Sequence, residues 1–367
     1  MQHISVNPQR QNAPTRDMLV PTSSSQLPPA KEIKLHPFNA GEENASLFFV
    51  GTATTIIEWA GIRLMTDPNF LHEGDHVHLG PGVSSKRLTN PAVDLHDLPR
   101  IDLILLSHYH EDHFDKKVEN SLRRDLPIIT TPHAKGHLSF KNGDSFTSVS
   151  AIDHFEQIQV GIEGTSGLKQ PRLRVTGMPG KHVPPGGIAQ KLNDIAKAVC
   201  IPNFLSFAFE HSAECLPGLT TQKIPPTNGW MLELGHGTPG LLDFTCGYRI
   251  YISGDTLMVD ELQEIPKRYA GQQIDLMLAH IGGTTIPSPL VGTVMESLAL
   301  MVTMDAEQGL KLIQLIRPDL TIPIHFDDYD VFTSPLEDFR CAIEAAGLTD
   351  KVLFLDRKDQ YRFHVGG

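Results

Sequence analysis

Apolar and polar positions follow three successive patterns along this chain. Up to about residue 40 no sustained apolar run is present, and Pro, Gln, Ser and Asn are frequent, so residues 1–40 read as a flexible leader. From residue 46 the pattern is that of strands. Residues 46–50 (SLFFV) and 54–59 (TTIIEW) are β-branched and aromatic runs, Ala60-Gly61 marks a tight turn, and residues 62–67 complete a hairpin that Asp67-Pro68 ends. A loop rich in Gly and His (71–91) leads to residues 101–107 (IDLILLS), an uninterrupted apolar run suited to a strand buried on both faces.

The second half repeats this grammar. Residues 274–280 (IDLMLAH) echo 101–107, which suggests two related half-folds. Helices are clearest late in the chain, where Asp305 caps a segment that runs to Ile316 and ends at Arg317-Pro318. Ser334-Pro335-Leu336-Glu337 has the capping-box spacing, with Pro at the first helical position and Gly347 closing that helix. Strands alternate with helices in both halves, which predicts an α/β fold. Between the halves, residues 183–228 carry Pro184-Pro185-Gly186-Gly187, Pro202, Pro217 and Pro225-Pro226, and read as an inserted lobe or lid within a single domain spanning 41–367.

Composition narrows the function. With 31 Lys+Arg against 43 Asp+Glu, the formal net charge is −12 and no Lys/Arg-rich run is present, which argues against a nucleic-acid partner or an anionic membrane surface. No segment reaches the roughly 18 apolar residues of a membrane span, and no integral membrane segment is expected. The four cysteines, at 200, 215, 246 and 341, fall in neither CxxC nor CxxH spacing, so neither a disulfide framework nor a thiolate zinc site is indicated. A reducing, cytoplasmic setting fits this. The conspicuous residue is histidine, with 18 copies.

The histidines concentrate where the first buried strand ends: Ser107-His108-Tyr109-His110-Glu111-Asp112-His113. An H-x-H-x-D-H spacing at a strand terminus lets His108 and His110 point one way while the chain turns and brings Asp112 and His113 in from an adjacent direction. Imidazole nitrogens and carboxylates without cysteine suit a borderline divalent ion such as zinc. The motif predicts a metal site.

This motif after an apolar strand resembles the metallo-β-lactamase superfamily, whose members hold one or two metals at the edge of a four-layer αββα sandwich. The resemblance implies further ligands, and the chain offers one after each expected strand: His182 in 172–182 (RLRVTGMPGKH), Asp255 in 248–256 (YRIYISGDT) and His325 in 320–325 (LTIPIH). Carried over residue by residue, His108, His110 and His182 hold one metal, Asp112, His113 and His325 the other, and Asp255 bridges them. The implied cofactor is two divalent ions, zinc first, with Mn or Fe as alternatives. Such a pair lowers the pKa of a shared water toward about 7, which makes hydroxide available at neutral pH. The implied activity is hydrolysis.

Residues 49–58 with Leu64-Met-Thr-Asp-Pro68 resemble more narrowly the branch containing L-ascorbate-6-phosphate lactonase and N-acyl-phosphatidylethanolamine-hydrolysing phospholipase D. Asp327-Asp328 follow the last ligand, and two carboxylates near the pocket are expected to repel a phosphate dianion. The reading therefore favours a small neutral lactone, ester or amide as the partner, with a phosphodiester as the alternative. An iron-dependent oxidoreductase and a non-catalytic metal-binding protein complete the set. Asp112 and Asp255 are the candidate proton carriers. His280, at the end of the echoed strand, is a candidate substrate or oxyanion contact. Self-association is left open. Tyr109 is expected to pack on the sheet, and His72, His76 and His78 to lie in a solvated loop.

Overall fold

The computed structural model describes the chain except residues 1, 11, 17–25, 81–82, 142, 166, 183–224, 242 and 287–299. Two large mixed sheets make up the body. One has seven strands in the order Gln2–Val6, Gln157–Ile162, Gln170–Pro179, Asn228–Gly237, Thr245–Ile252, Leu276–His280, Leu320–Ile324. The other has eight, in the order Val149–Ala151, Ile128–Thr130, Leu103–Leu105, Ile62–Thr66, Thr54–Trp59, Ala45–Gly51, Gln360–Phe363, Ile33–Leu35.

Alternation along the strands of the eight-stranded sheet separates two cores. Leu47, Phe49, Ile57, Trp59, Leu64, Leu103 and Leu105 pack into the core shared with the seven-stranded sheet. Their sequence neighbours Phe48, Val50, Ile56, Met65, Ile104 and Leu106 face the opposite way, onto Val118 of the helix Lys116–Ser121 and Ala134 and Leu138 of the helix Pro132–Ser139. Side chains two apart share a face of a strand, so one apolar run supplies both faces of a buried sheet. On the far side of the seven-stranded sheet lie Ala306–Ile316 and Leu336–Ala345, which bury Leu312, Ile313, Phe339 and Ile343. The layers are helix, sheet, sheet, helix, which is the αββα sandwich of a metallo-β-lactamase fold.

The helix after Asp305 forms as the sequence predicts, with the Asp305 side chain accepting from Gln308 N at 2.9 Å. The next helix begins one residue later than predicted, with Pro335 as its cap. Ser334 is drawn across the fold, where its hydroxyl accepts from Ala306 N at 3.0 Å and caps the earlier helix. Gly347 takes the left-handed backbone (φ 66°) that closes the second helix.

The leader is not free throughout. Gln2–Val6 pairs in parallel with Gln157–Ile162 at a sheet edge, and Ile33–Leu35 pairs with Gln360–Phe363. Such long-range pairing leaves no local signature. The His-bearing loop also has structure: His76–Gly80 and Val83–Lys86 form a hairpin whose Val77 and Leu79 pack on Tyr329 and Val331. Most of the lobe expected at 183–228 lies outside the described residues, and its last residue, Asn228, opens a strand of the sheet. No helix of the described residues is long and apolar enough to cross a membrane.

Candidate metal centre

The ligands sit at the carboxyl ends of strands, where parallel strands leave loops free to carry chemistry. His108 to His113 follow Leu103–Leu105, His182 follows Gln170–Pro179, Asp255 follows Thr245–Ile252, and His325 follows Leu320–Ile324. Two groups form, His108/His110/His182 and Asp112/His113/Asp255/His325, with the ligand atoms of each within 4.8 Å of one another. All seven predicted ligands are brought together, and both groups draw on both sheets.

In the first group, His108 Nε2 lies 3.0 Å from His110 Nδ1 and 3.0 Å from His182 Nε2. His182 Nδ1 donates to Val302 O at 2.9 Å, so its Nε2 presents a lone pair toward His108. Nitrogens facing one another at this separation need a shared cation or proton; two on a tetrahedral zinc at about 2.05 Å stand roughly 3.3 Å apart. Burial and the neighbouring imidazoles hold His108 well below the ordinary histidine range, and burial is the leading cause that lowers His110 to about 3 and also lowers His182. The neutral ring is the form that binds a metal.

In the second group, Asp112 Oδ1, His113 Nε2 and both ring nitrogens of His325 are buried without a hydrogen-bond partner. Orphaned polar atoms of this kind cost roughly 1–3 kcal/mol each. His113 Nε2 lies 3.3 Å from Asp255 Oδ2 and 3.7 Å from Asp112 Oδ2, while His325 Nε2 is 3.6 Å from Asp112 and 3.5 Å from Asp255. These atoms converge without bonding one another, which is the arrangement of ligands around an ion. Burial, the largest single influence, opposes charge on Asp112, but His113, His325 and His110 together outweigh it and hold the carboxyl at about 2. Burial also pushes His113 down, and Asp255 and Asp112 together raise it well above the ordinary range.

Other side chains fix the ligands. Ser107 Oγ lies 2.9 Å from His108 Nδ1, and Asp67 Oδ2 lies 3.1 Å from His113 Nδ1 while its other oxygen accepts from Ser107 N at 2.7 Å. Asp67 has a left-handed backbone (φ 34°), as do Thr52 (52°), His325 (60°) and Asp327 (54°). Non-glycine residues in this region cost of order 1–3 kcal/mol, and such strain gathers at functional sites. His325 is held there by its N–H on Thr52 O at 2.8 Å. In the sequence Asp67 stood out only as the Asp-Pro that ends the hairpin and as part of the Leu64–Pro68 motif, with no sign that it touches a ligand.

Two expectations change. His280 is fully buried and does not line the cavity over the ligands; its Nδ1 lies 2.9 Å from Asp255 Oδ1, behind the site. Asp327 and Asp328 do not face the pocket either. Asp327 meets Leu336 N at 3.3 Å at the start of a helix, and Asp328 is buried between Arg87 and Arg357, accepting from Thr52 N at 2.5 Å and from Thr89 Oγ1. The repulsion expected of Asp328 is absent because its carboxylate is satisfied inside the fold, and neither residue lines the cavity over the ligands. Tyr109 does not line the cavity; it stacks on His137 of the helix Pro132–Ser139, with centroids 4.8 Å apart. A cavity above the ligands is lined by His110, Asp112, His182 and Asp255 and walled by Leu79, Thr284, Ile286 and Val302.

Fold and ligand set resemble those of the metal-dependent hydrolases of the metallo-β-lactamase superfamily. The β-lactamase superfamily domain family matches residues 54–213. A UPF0173 metal-dependent hydrolase of Thermodesulfovibrio yellowstonii is 22% identical over 271 residues, covering 72% of this chain and 79% of the relative. The mitochondrial N-acyl-phosphatidylethanolamine-hydrolyzing phospholipase D of Saccharomyces cerevisiae is 31% identical over 134 residues, 35% of this chain, and the match spans only 27% of that relative's length. Among solved structures, an isothiocyanate hydrolase from Delia radicum gut bacteria shares the fold, with a TM-score of 0.60 and 16% identity over 87% of this chain and 99% of the other.

Proposed function

We propose that the protein is a dinuclear, zinc-dependent hydrolase of a small neutral carbonyl substrate: a lactone, ester or amide. The observation that carries this reading is a cavity that meets both ligand groups between apolar walls and to which no described Lys or Arg contributes. Lys181, next to a ligand, is paired with Glu261, and Arg87 is buried on Asp328. Five imidazoles with carboxylates and no thiolate favour zinc over the harder ions.

When bound, the ions polarise the scissile carbonyl and lower the pKa of water. The chain supplies the rest. Leu79, Ile286 and Val302 seat an apolar flank of the substrate and exclude bulk water. Asp112 is the proton acceptor, because its Oδ1 is buried with no donor on it, whereas both oxygens of Asp255 carry one. Asp255, whose carboxylate stands among Asp112, His113 and His325, would help hold the ions.

A phosphodiester substrate is the second reading. With Asp328 buried on its arginines and Asp327 outside the cavity, no described carboxylate beyond the ligand set lines it, and the local similarity to the yeast phospholipase D favours this reading. A panel of lactones, esters, amides, β-lactams and phosphodiesters, run with and without chelator, tests both. Chelator-sensitive turnover of carbonyl substrates alone is the expected result; turnover of phosphodiesters alone transfers the assignment to the second reading, and chelator-resistant turnover refutes both.

A further inference from the structure

The echo between the two halves extends beyond sequence. Asp102 opens the first buried strand by exchanging hydrogen bonds with Arg63: its N donates to Arg63 O at 2.9 Å and its Oδ2 accepts from Arg63 N at 2.8 Å. Asp275 does the same with Arg249, at 3.0 and 2.6 Å. At the far end, Asp67 N donates to Leu105 O at 3.0 Å and the Asp67 side chain accepts from Ser107 N at 2.7 Å. Its counterpart is Ser253, whose N donates to Leu278 O at 3.0 Å and whose hydroxyl accepts from His280 N at 3.0 Å. The repeated register puts His280 where the first half has Ser107.

Ser107 uses that place to hold ligands, its hydroxyl meeting His108 Nδ1 at 2.9 Å. His280 has the same opportunity toward Asp255. An ionised carboxylate only accepts, so the proton of the contact is on His280 Nδ1. Thr303 Oγ1 donates to the other oxygen, Oδ2, at 2.8 Å. With one donor on each oxygen the carboxylate cannot turn about its Cβ–Cγ bond, and its remaining lone pairs keep one direction. The His280 ring is itself fixed, 5.2 Å from His325 and nearly parallel to it at 13°.

We propose that His280 is a positioning residue: with Thr303 it clamps Asp255 and sets the direction in which that ligand meets the metal pair, repeating in the second half what Ser107 does in the first. This rests on the dinuclear reading of the site.

The test titrates zinc into the metal-free full chain against a chromogenic chelator and follows cobalt by its visible spectrum, in wild type, His280→Leu, His280→Asn and Thr303→Val. The asparagine amide can reproduce the Nδ1–H; leucine cannot. Wild type should take two equivalents. His280→Leu should bind the weaker equivalent 10- to 100-fold less tightly, the range usual for groups that orient a ligand, with a changed cobalt spectrum and an unchanged melting temperature of the metal-free form. His280→Asn should recover most of the affinity, and Thr303→Val should weaken it from the other oxygen even where His280→Leu does not fold. Wild-type affinity in His280→Leu, or in Thr303→Val, overturns the clamp, as does an asparagine variant no better than leucine. A wild type that binds fewer than two equivalents refutes the dinuclear reading itself, and is seen before any variant is compared.

Discussion

Asp328→Asn should destabilise the protein although Asp328 touches no ligand. Its carboxylate is fully buried between Arg87 and Arg357, and removing its charge leaves the Arg87 guanidinium, also fully buried, without its counter-ion. Breaking a buried pair in this way costs about 3–5 kcal/mol. Arg87 keeps hydrogen bonds to Thr52 Oγ1, Asn69 Oδ1 and Thr89 O and lies 5.0 Å from the centre of the Tyr329 ring, so the lower figure applies. At an unfolding entropy of about 2.1 cal/mol/K per residue, the 367-residue chain has about 0.8 kcal/mol/K, and about 3 kcal/mol corresponds to a fall in Tm of about 4 °C. Calorimetry on the metal-free form measures this directly. Arg87→Met combined with Asp328→Asn should recover part of the loss, because a neutral pair leaves no buried charge.

The pH dependence has a definite sign. Burial opposes ionisation of Asp328, but Arg87 and Arg357 outweigh it and hold its pKa below the usual carboxylate value. Its stabilisation is therefore complete above about pH 4, the unfolded value, and is lost as pH falls through the lower folded one. Asp328→Asn should narrow the gap to wild type only in that acid range. A Tm within 1 °C of wild type at neutral pH would refute the reasoning, since it would mean that the charge contributes nothing where it is buried.

Three further outcomes are expected. His108→Ala and Asp255→Asn should each abolish hydrolysis and lower metal content by elemental analysis, with far-ultraviolet circular dichroism unchanged; activity retained in both variants contradicts the assigned centre. Cys246, whose thiol burial pushes up to about 12, should alkylate much more slowly at pH 8 than exposed Cys341, read by peptide mass spectrometry. Deleting residues 1–6 should uncover the edge of Gln157–Ile162 and promote aggregation in light scattering while zinc stoichiometry is unchanged.

How much of this was legible in the sequence depended on distance along the chain. The H-x-H-x-D-H run was legible because one strand end presents four of its residues to the same small volume, and Asp305 because a cap and its helix are adjacent. The strand Gln2–Val6 was not, since its partner lies some 150 residues away and parallel edge pairing imposes no local pattern. Ser334 was assigned to the wrong helix for the same reason: its hydroxyl caps a segment 28 residues earlier. Asp327 and Asp328 look like a free acidic turn in one dimension, and only the fold brings Arg87 and Arg357 against the second of them. His280 was legible as the end of the echoed strand, but sequence does not say which side of a ligand a neighbour approaches, and the fold sets it behind Asp255.

The division of the ligands between the sheets also constrains when the centre can exist. His108 and His182 meet at 3.0 Å although 74 positions separate them, and Asp112 and His113 complete their set only with Asp255 and His325 from the other sheet. A chain still emerging from the ribosome thus carries at most an incomplete set, with the last ligand supplied by one of its final strands. Firm metal retention then marks the completed sandwich, because only docked sheets bring the late ligands to the early ones.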